Sequence, residues 1–199
     1  MEINPLFYHR LLAKPTVIIT TRFRNNKTNA APFSFVTPIS FKPPYIGFAC
    51  DPRHDTWRNI NYNKEWVINI VNERIFDKMK FLAKNYPYGV SELEQAGLEE
   101  TEGKVVKVNR IKQAIGYIEC QLNRFFTIGD HIFVVGKVVC CDINKIYWDR
   151  ENRAIDIKKA KIFFHVGNDV FGIRAKPTKV EIKFQEEEKN SNKEESVTE

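Results

Sequence analysis

Two short segments carry residue types that could hold a flat ligand with an anionic end. The first, TNAAPFS at residues 28–34, combines small side chains and polar groups around one proline. Small side chains allow a flat ring to approach the backbone, and an irregular strand leaves N–H and C=O groups free to bond the edge of that ring. An edge strand made irregular by its prolines would show the same residues, so both interpretations stay open.

The second segment, DPRHDT at residues 51–56, runs into a predicted helix. A helix N-terminus presents unpaired N–H groups and a partial positive charge, which suit a phosphate group. The side chains of Arg53, His54 and Thr56 would add donors there, while Asp55 would mainly cap the helix. An ordinary capped turn with a surface arginine is the alternative interpretation.

The other chemistry-bearing residues form no recognisable site. The four histidines lack metal-ligand spacing, and the chain contains no GxSxG, P-loop or GxGxxG pattern, so we expect no metal site and no Rossmann domain. A cysteine–histidine nucleophile stays open, because such partners need not be close in sequence. The cysteines form no CxxC pair and lie in apolar runs, which predicts buried free thiols at Cys50, Cys120, Cys140 and Cys141.

Charge is unevenly distributed along the 199 residues. The chain has a net charge of +6, and its last segment, residues 186–199, carries six Glu and two Lys, which leaves +10 for the rest. This acidic segment lacks aromatic residues, which predicts a disordered tail after a single domain at residues 1–185. Basic residues in the body are scattered, so we expect no nucleic-acid partner.

The N-terminus and the apolar runs predict a cytoplasmic protein. No window approaches the roughly 18 apolar residues of a transmembrane helix, so no membrane association is expected. Charged residues interrupt the apolar positions near the N-terminus, unlike in a secretory signal. Reduced thiols also fit the cytosol.

Most of the elements that must position the two segments are predicted strands. Residues 31–41 contain Pro32 and Pro38 and are predicted as one irregular or edge strand. The absence of strand–helix alternation predicts a closed or half-closed antiparallel barrel. β-Branched and aromatic runs predict the other strands at TVIITTRF, YIGFAC, EWVINIV, KVVKV, IKQAIGYIECQLNRFF, HIFVVGKVVCCDIN and KIFFHV.

A few short helices complete the predicted elements. NPLFYHRLLA begins after Asn4 as a candidate N-cap, and TWRNINY and ERIFDKMKFLAKN follow further along. SELEQAG has a capping pattern, in which Ser91 and Glu94 are three residues apart and Gly97 ends the helix.

The order of these pieces resembles the flavin reductase-like family of FMN-binding split barrels. The resemblance covers residues 4–172 and rests on KTNAAPFSFVTPISFKPP, RHDTWRNI, EWVINIV, YGVSELEQAGL, YIECQL, GDHIFVVGKVV and FFHVGNDVFG. It implies a mainly β fold, a six-stranded antiparallel Greek-key split barrel with a few short helices. It also implies a homodimer with FMN near the subunit interface.

The resemblance assigns cofactor-binding positions residue by residue. The turn at His165 and Gly167 matches the one that lies near the open flavin face in relatives, which implies substrate binding there. Many relatives have Lys where this chain has His54, so the phosphate would depend more on Arg53. The flavin ring and ribityl chain would lie along Thr28, Asn29, Ala30, Ala31, Phe33, Ser34 and Phe35, and the phosphate would lie at Arg53, His54, Asp55 and Thr56.

Three functions follow from this resemblance. The first is an NAD(P)H-dependent flavin oxidoreductase that passes reduced FMN to a partner monooxygenase or another electron acceptor. The second is an FMN electron carrier, or a flavin-dependent reductase of metal or small acceptors that does not release flavin. The third is a non-catalytic binding protein on the same fold. No catalytic side chain is expected, because the flavin supplies the chemistry. Candidate homodimer contacts are Phe7, Tyr8, Tyr86 and Tyr88.

Overall fold

The computed structural model describes residues 1–168 and 170–173. The predicted domain boundary at residue 185 and the acidic tail at 186–199 lie outside the described residues. The strands are β1 (Lys14–Pro15), β2 (Val17–Arg22), β3 (Thr28–Phe33), β4 (Val36–Phe41), β5 (Pro44–Cys50), β6 (Glu65–Ile70), β7 (Glu100–Thr101), β8 (Arg110–Ile111), β9 (Gly116–Ile128), β10 (His131–Ile143), β11 (Trp148–Asp149), β12 (Ala154–Ile155), β13 (Phe164–Gly167) and β14 (Val170–Gly172). The helices are α1 (Asp55–Asn63), α2 (Met79–Leu82), α3 (Glu92–Ala96) and α4 (Ile157–Ala160), with 3₁₀ helices at Pro5–Leu11, Glu73–Lys78 and Lys145–Tyr147.

The central feature is a seven-stranded antiparallel sheet in the order β3-β2-β6-β9-β10-β5-β4. Its two edge strands, β3 and β4, follow each other in the chain and are separated only by Ser34 and Phe35. Consecutive Cα atoms are about 3.8 Å apart, so Phe33 and Val36 lie within about 11 Å of each other. The two edges are therefore close, and the sheet is rolled into a split barrel. The predicted mainly β fold with a few short helices is confirmed.

The strand count differs from the sequence prediction. A six-stranded barrel was expected, with residues 31–41 as one irregular or edge strand, but this region contributes to two strands of the sheet. Both are edge strands, as the prolines predict, because Pro32 and Pro38 have no N–H to donate to a second neighbour. The pairing of β4 with β5 also shifts register between Pro38 and Ser40.

Two hydrophobic clusters lie on opposite faces of β2. Ile19 packs in the barrel interior with Phe48 and Trp66, and all three are fully buried. Ile18 points the other way, into a second cluster formed with the short helices α2 and α3 and with Ala30 of β3. Both faces of β2 are covered at its start, where Val17, Ile18 and Ile19 are consecutive buried apolar residues. The second cluster holds the helices against the back of β3.

The predicted strand KVVKV at residues 104–108 is wrong: this segment is irregular. The buried carboxylate of Glu119 accepts hydrogen bonds from the backbone N–H groups of Lys104 at 2.7 Å, Val105 at 2.7 Å and Val106 at 3.1 Å. Glu119 also pairs with the buried Arg110, whose Nε donates at 2.7 Å. A side chain thus satisfies the backbone donors that a neighbouring strand would otherwise pair with.

The cysteine prediction is correct for two of the four positions. Cys50 and Cys120 are buried free thiols, and burial raises the pKa of Cys50 to about 12. Cys140 is only half-buried and Cys141 is exposed. Both lie near the end of β10, where the pairing with β9 shifts register between Val138 and Cys140.

The predicted helix ends are partly confirmed. Asn4 caps the first helical segment by accepting from the N–H of Leu6 at 3.0 Å, although the segment is a 3₁₀ helix. Gly97 ends α3 in the left-handed region with φ of 64°. The capping pattern at Ser91 does not form, and Glu94 instead pairs with Lys27. In the described part of the chain, no helix is long and apolar enough to cross a membrane.

Candidate functional site

The two segments singled out in the sequence form opposite parts of one cavity with a volume of about 640 Å³. Strand β3 supplies one wall, and the loop before α1 with the first turn of that helix supplies another. The chain after α2 and the first residue of α3 complete the cavity. The lining residues are Asn29, Ala31, Pro32, Phe33, Asp51, Arg53, His54, Asp55, Thr56, Leu82, Ala83, Lys84, Asn85, Tyr86 and Glu92.

Strand alternation divides the predicted ring-contact residues into two groups. Asn29, Ala31 and Phe33 line the cavity and share one face of β3, because every second side chain of a strand points to the same face. Pro32, from the other face, also lines it near the end of this edge strand. Thr28 and Ala30 point away and are buried. The hydroxyl of Thr28 donates to Glu100 Oε2 at 2.8 Å, so its polar group is already used within the protein.

Asn29 joins the β3 wall to the first turn of α1. Its Nδ2 donates to Thr56 Oγ1 at 3.2 Å and to Thr21 Oγ1 at 3.1 Å. Thr21 also accepts from Asn59, which in turn accepts from the Tyr88 hydroxyl at 3.2 Å. This network fixes the amide orientation. Among the described residues no donor pairs with Asn29 Oδ1, which leaves an oriented acceptor in the cavity wall.

The start of α1 provides donors for an anionic group. Within the described part of the chain, no acceptor pairs with the N–H groups of Asp55 and Thr56. The Thr56 hydroxyl oxygen accepts from Asn29, which leaves its proton available to donate. Asp55 was predicted to cap the helix, but α1 begins at Asp55 and His54 occupies the N-cap without a side-chain hydrogen bond.

Arg53 lies at the mouth of this cavity and is paired with Asp51. Its Nη2 donates to Asp51 Oδ2 at 2.6 Å and its Nε donates to Oδ1 at 3.0 Å. The pairing holds the pKa of Asp51 well below its usual range and raises the pKa of Arg53. The Arg53 side chain is 87% exposed, so the guanidinium can turn toward an incoming anion while Asp51 orients it.

Glu92 is a buried carboxylate in the cavity wall opposite α1. Its Oε2 accepts from the Ala30 N–H at 2.9 Å, which attaches the start of α3 to β3. Burial raises the pKa of Glu92 to about 6, and the nearby Asp55 contributes in the same direction. Burial also raises the pKa of Asp55, against the opposing influence of Arg58. The cavity therefore contains two carboxyl groups that bind protons more tightly than usual.

Besides Thr28 and Ala30, four more of the predicted site residues do not line the cavity: Ser34, Phe35, His165 and Gly167. Ser34 forms a hydrogen bond with Thr16 through the two hydroxyl oxygens at 3.1 Å. Phe35 is 40% exposed, and its ring lies 6.3 Å from that of His9 and 6.2 Å from that of His131.

His165 and Gly167 lie on β13, in a separate small sheet with β1 and β14. His165 Nε2 donates to the backbone oxygen of Asn168 at 2.8 Å, and its ring packs on Phe171 with the centroids 5.0 Å apart. Gly167 packs against the side chain of Arg10. Both residues therefore already contact other described residues of the same chain.

Residues 82–86 and Glu92 form a wall of the site that was not predicted from the sequence. Tyr86 was expected at a dimer contact, but it lines the cavity, and Lys84 lies over its ring at 5.3 Å. Leu82 and Leu93 pack in the same buried cluster as Ala30, and this packing brings the wall to β3. In the sequence, the small side chain of Ala30 was the signal that another element packs closely behind β3.

Comparison with known proteins gives the same family that the sequence motifs suggested. The profile of the flavin reductase like domain matches residues 8–156. Nitrilotriacetate monooxygenase component B from Bacillus cereus has a similar structure, with a TM-score of 0.82 at 23% identity over 90% of this chain and 98% of that one. A candidate flavin reductase with a split barrel domain from Shewanella frigidimarina has a TM-score of 0.81 at 20% identity, covering 91% and 94%.

A third structure extends the comparison to a protein whose cofactor is known. The FMN-binding protein from Thermus thermophilus, solved with bound 1-cyclohex-2-enone, has a TM-score of 0.76 at 21% identity over 91% of this chain and 97% of that one. These three likenesses concern the fold, while the profile match spans most of the chain. The chain therefore belongs to the flavin reductase like family.

Proposed function

We propose that this protein binds FMN in the cavity between β3 and α1 and acts as an NAD(P)H-dependent flavin oxidoreductase. One observation carries the proposal: a small-residue strand and a helix N-terminus with free donors line a single cavity of about 640 Å³. That volume lies within the range of small-molecule sites. The arrangement matches a ligand that is flat at one end and anionic at the other.

The β3 side of the cavity suits the flavin ring. Ala31, Phe33 and Leu82 supply an apolar surface, and the methyl group of Ala31 allows a ring to approach the strand closely. The free acceptor Asn29 Oδ1 can receive an N–H from the ring edge or a hydroxyl from the ribityl chain. Of the predicted ring contacts, Asn29, Ala31 and Phe33 therefore keep their proposed role, while Ser34 and Phe35 would act at the rim.

The α1 side suits the phosphate. The N–H groups of Asp55 and Thr56 and the hydroxyl of Thr56 would donate to its oxygens, and the helix dipole adds a favourable partial charge. Arg53 would close over the phosphate from the mouth, with Lys84 as a second cation in the same cavity. His54 would take part through its position at the N-cap.

FMN, when bound, would supply the hydride and electron transfer chemistry of the protein. The side chains of this chain would bind and orient it, and none is required to act as an acid or base. The donor would be a nicotinamide. A role for His165 and Gly167 in binding that second substrate remains a proposal from the resemblance.

The acceptor would be a partner enzyme or another small molecule. A neighbour of this fold is component B of a nitrilotriacetate monooxygenase, which supports the transfer of reduced flavin to a partner oxygenase. The FMN-binding neighbour from Thermus thermophilus supports FMN as the resident flavin.

We also propose a homodimer. The 3₁₀ helix Pro5–Leu11 has an apolar sequence, yet none of its residues is buried. Phe7 is 43% exposed and Tyr8 is 64% exposed, so this helix would gain burial from a second subunit. Tyr86 and Tyr88 are weaker candidates, because Tyr86 lines the cavity and Tyr88 packs on Phe23 and Arg58 of the same chain. A monomer with flavin bound, measured by light scattering, would contradict the dimer.

Anaerobic titration of the purified full chain tests the proposed function. The flavin-loaded protein should show the visible band of oxidised flavin, and NADH or NADPH should bleach it. A colourless protein that does not bind added FMN would contradict the cofactor. Bound FMN that neither nicotinamide reduces would contradict the reductase and favour the electron carrier. Equal affinities for FMN and riboflavin would contradict the phosphate site.

A further inference from the structure

A second cavity, of about 630 Å³, lies at one end of the barrel. We call it the end groove. Its opening lies at one row of paired residues in the sheet, formed by Val17 of β2, Ile70 of β6, Gly116 of β9 and Ile143 of β10. Aliphatic and aromatic side chains dominate its walls. The lining residues are Pro15, Thr16, Val17, Ile70, Gly116, Tyr117, Ile118, Cys141, Asp142, Ile143, Lys145, Trp148, Arg150, Ile155, Ile162 and Phe163.

Two basic residues, Lys145 and Arg150, line the end groove. Lys145 and Arg150 are exposed, and neither forms an ion pair with any residue that the structure describes. The only acid in the lining is Asp142, and it already pairs with Lys104 and Arg110, each at 3.0 Å. The groove is therefore an apolar space beside two exposed cations that have no ion pair within the described part of the chain.

The side chains that line the groove suit an aromatic occupant. Trp148, which lines the groove with Arg150, is 40% exposed, and the partly buried Tyr117 adds a second aromatic ring. An aromatic ring that binds here would be transferred from water to apolar surroundings, and a carboxylate on that ring would contact Lys145 or Arg150. Arginine binds a carboxylate with two parallel hydrogen bonds, which favours this group over a neutral polar one.

The end groove adjoins the proposed flavin cavity. Val17, which lines the groove, pairs across the sheet with Phe33, which lines the flavin cavity. Next to this pair, the hydroxyl groups of Thr16 and Ser34 are hydrogen-bonded at 3.1 Å. The two cavities thus have lining residues on the adjacent strands β2 and β3, at the end of the strand that would hold the ring.

We propose that the end groove binds an organic carboxylate with a flat apolar body, held by Arg150 and Lys145. Its role as a second substrate beside the flavin rests on the proposed function, but its binding does not. The groove would therefore accept such a molecule in both the flavin-free and the FMN-loaded protein.

Calorimetric titration of the full chain with 2-naphthoate tests this proposal, with 2-naphthamide as the uncharged probe of the same shape. We expect naphthoate to bind more tightly than naphthamide. Arg150→Gln and Lys145→Gln should each weaken naphthoate about fivefold and leave naphthamide unchanged, since each removes one charge-assisted contact. Lys137→Gln removes an exposed charge from β10 outside the groove and should have no effect.

A further variant tests the position of the aromatic body. Ile155→Trp fills the groove from β12 and should weaken both probes, with thermal melting as the check of folding. Equal binding of the two probes to the wild type, or unchanged naphthoate binding in Arg150→Gln and Lys145→Gln, would overturn the proposal. So would competition between naphthoate and FMN, because the groove would then be part of the flavin site. If naphthoate binds as expected and FMN does not bind, the proposed function is contradicted, while the proposed carboxylate site in the end groove is supported.

Discussion

Asn29 Nδ2 donates to Thr56 Oγ1 at 3.2 Å, and this hydrogen bond joins two segments 27 residues apart. It connects the strand that would hold a flavin ring with the helix start that would hold its phosphate. Each segment alone is compatible with an ordinary edge strand or a capped turn. Their direct contact in one cavity is the reason to treat them as a single binding site.

Replacement of Asn29 by Ala should weaken flavin binding and destabilise the protein. The change removes the oriented acceptor Oδ1 and leaves Thr21 and Thr56 with fewer partners, which should cost about 1–2 kcal/mol of unfolding free energy. Flavin titration and urea unfolding measure the two effects. Asn61→Ala, at an exposed position of α1, is the matched control. Unchanged flavin affinity in a folded Asn29→Ala protein would reject the placement of the ring.

Replacement of Arg53 by Ala should weaken FMN about tenfold and leave riboflavin nearly unchanged. The predicted difference arises because only FMN carries the phosphate that the guanidinium would contact. Fluorescence titration with both flavins gives the ratio of affinities. Arg124→Ala removes an exposed arginine from β9 and should leave that ratio as in the wild type. An equal loss for both flavins would place Arg53 away from the phosphate.

Replacement of Glu92 by Gln should change how stability depends on pH. The folded protein raises the pKa of Glu92 from 4.5 to about 6, so the stability contributed by its bound proton is full below the unfolded value and is lost as pH rises through about 6. Gln can still accept from Ala30 and does not ionise. The variant should therefore gain about 1–2 kcal/mol relative to the wild type between pH 4.5 and pH 8.

Urea unfolding at several pH values measures this gain. Glu102→Gln, which changes an exposed glutamate, should show no such trend and serves as the control. A constant difference between Glu92→Gln and the wild type at all pH values would contradict the raised pKa.

Replacement of Glu119 by Gln should release the segment at residues 104–106. Burial alone would raise the pKa of Glu119, but three backbone N–H donors and Arg110 lower it below its usual value. An amide nitrogen would face some of these donors and leave Asp142 as the remaining ion-pair partner of the buried Arg110, at a cost of about 1.5–3 kcal/mol. Hydrogen exchange at Lys104, Val105 and Val106 should accelerate. Glu65→Gln, which alters the acceptor for Lys107 N–H, should have a smaller effect.

The sequence predicted the barrel because most of its strands depend on local signals. The edge position of residues 31–41, for example, follows directly from Pro32 and Pro38. The segment at 104–108 was wrongly predicted, since its β-branched residues favour a strand but a distant side chain, Glu119, takes the backbone donors instead. Propensity describes a residue and its neighbours, and it contains no information about such a partner.

The candidate site was predictable to a similar extent. Asn29 and Thr56 could be identified from residue type and order, but strand alternation turned Thr28 and Ala30 away from the cavity. Glu92 and residues 82–86 could not be assigned, because they reach β3 only through the packing of α2 and α3 on Ala30. Long-range packing of this kind leaves little trace in a single sequence.

The two-residue link at Ser34 and Phe35 has a consequence for ligand exchange. It joins both edges of the rolled sheet, so the split cannot widen beyond the reach of an extended chain of that length. A bound flavin would therefore exchange through the cavity mouth, between Arg53 and the short segment at residues 83–86, rather than through an opening barrel. The rate of cofactor release would then follow local motions of that segment and would be independent of the global unfolding rate.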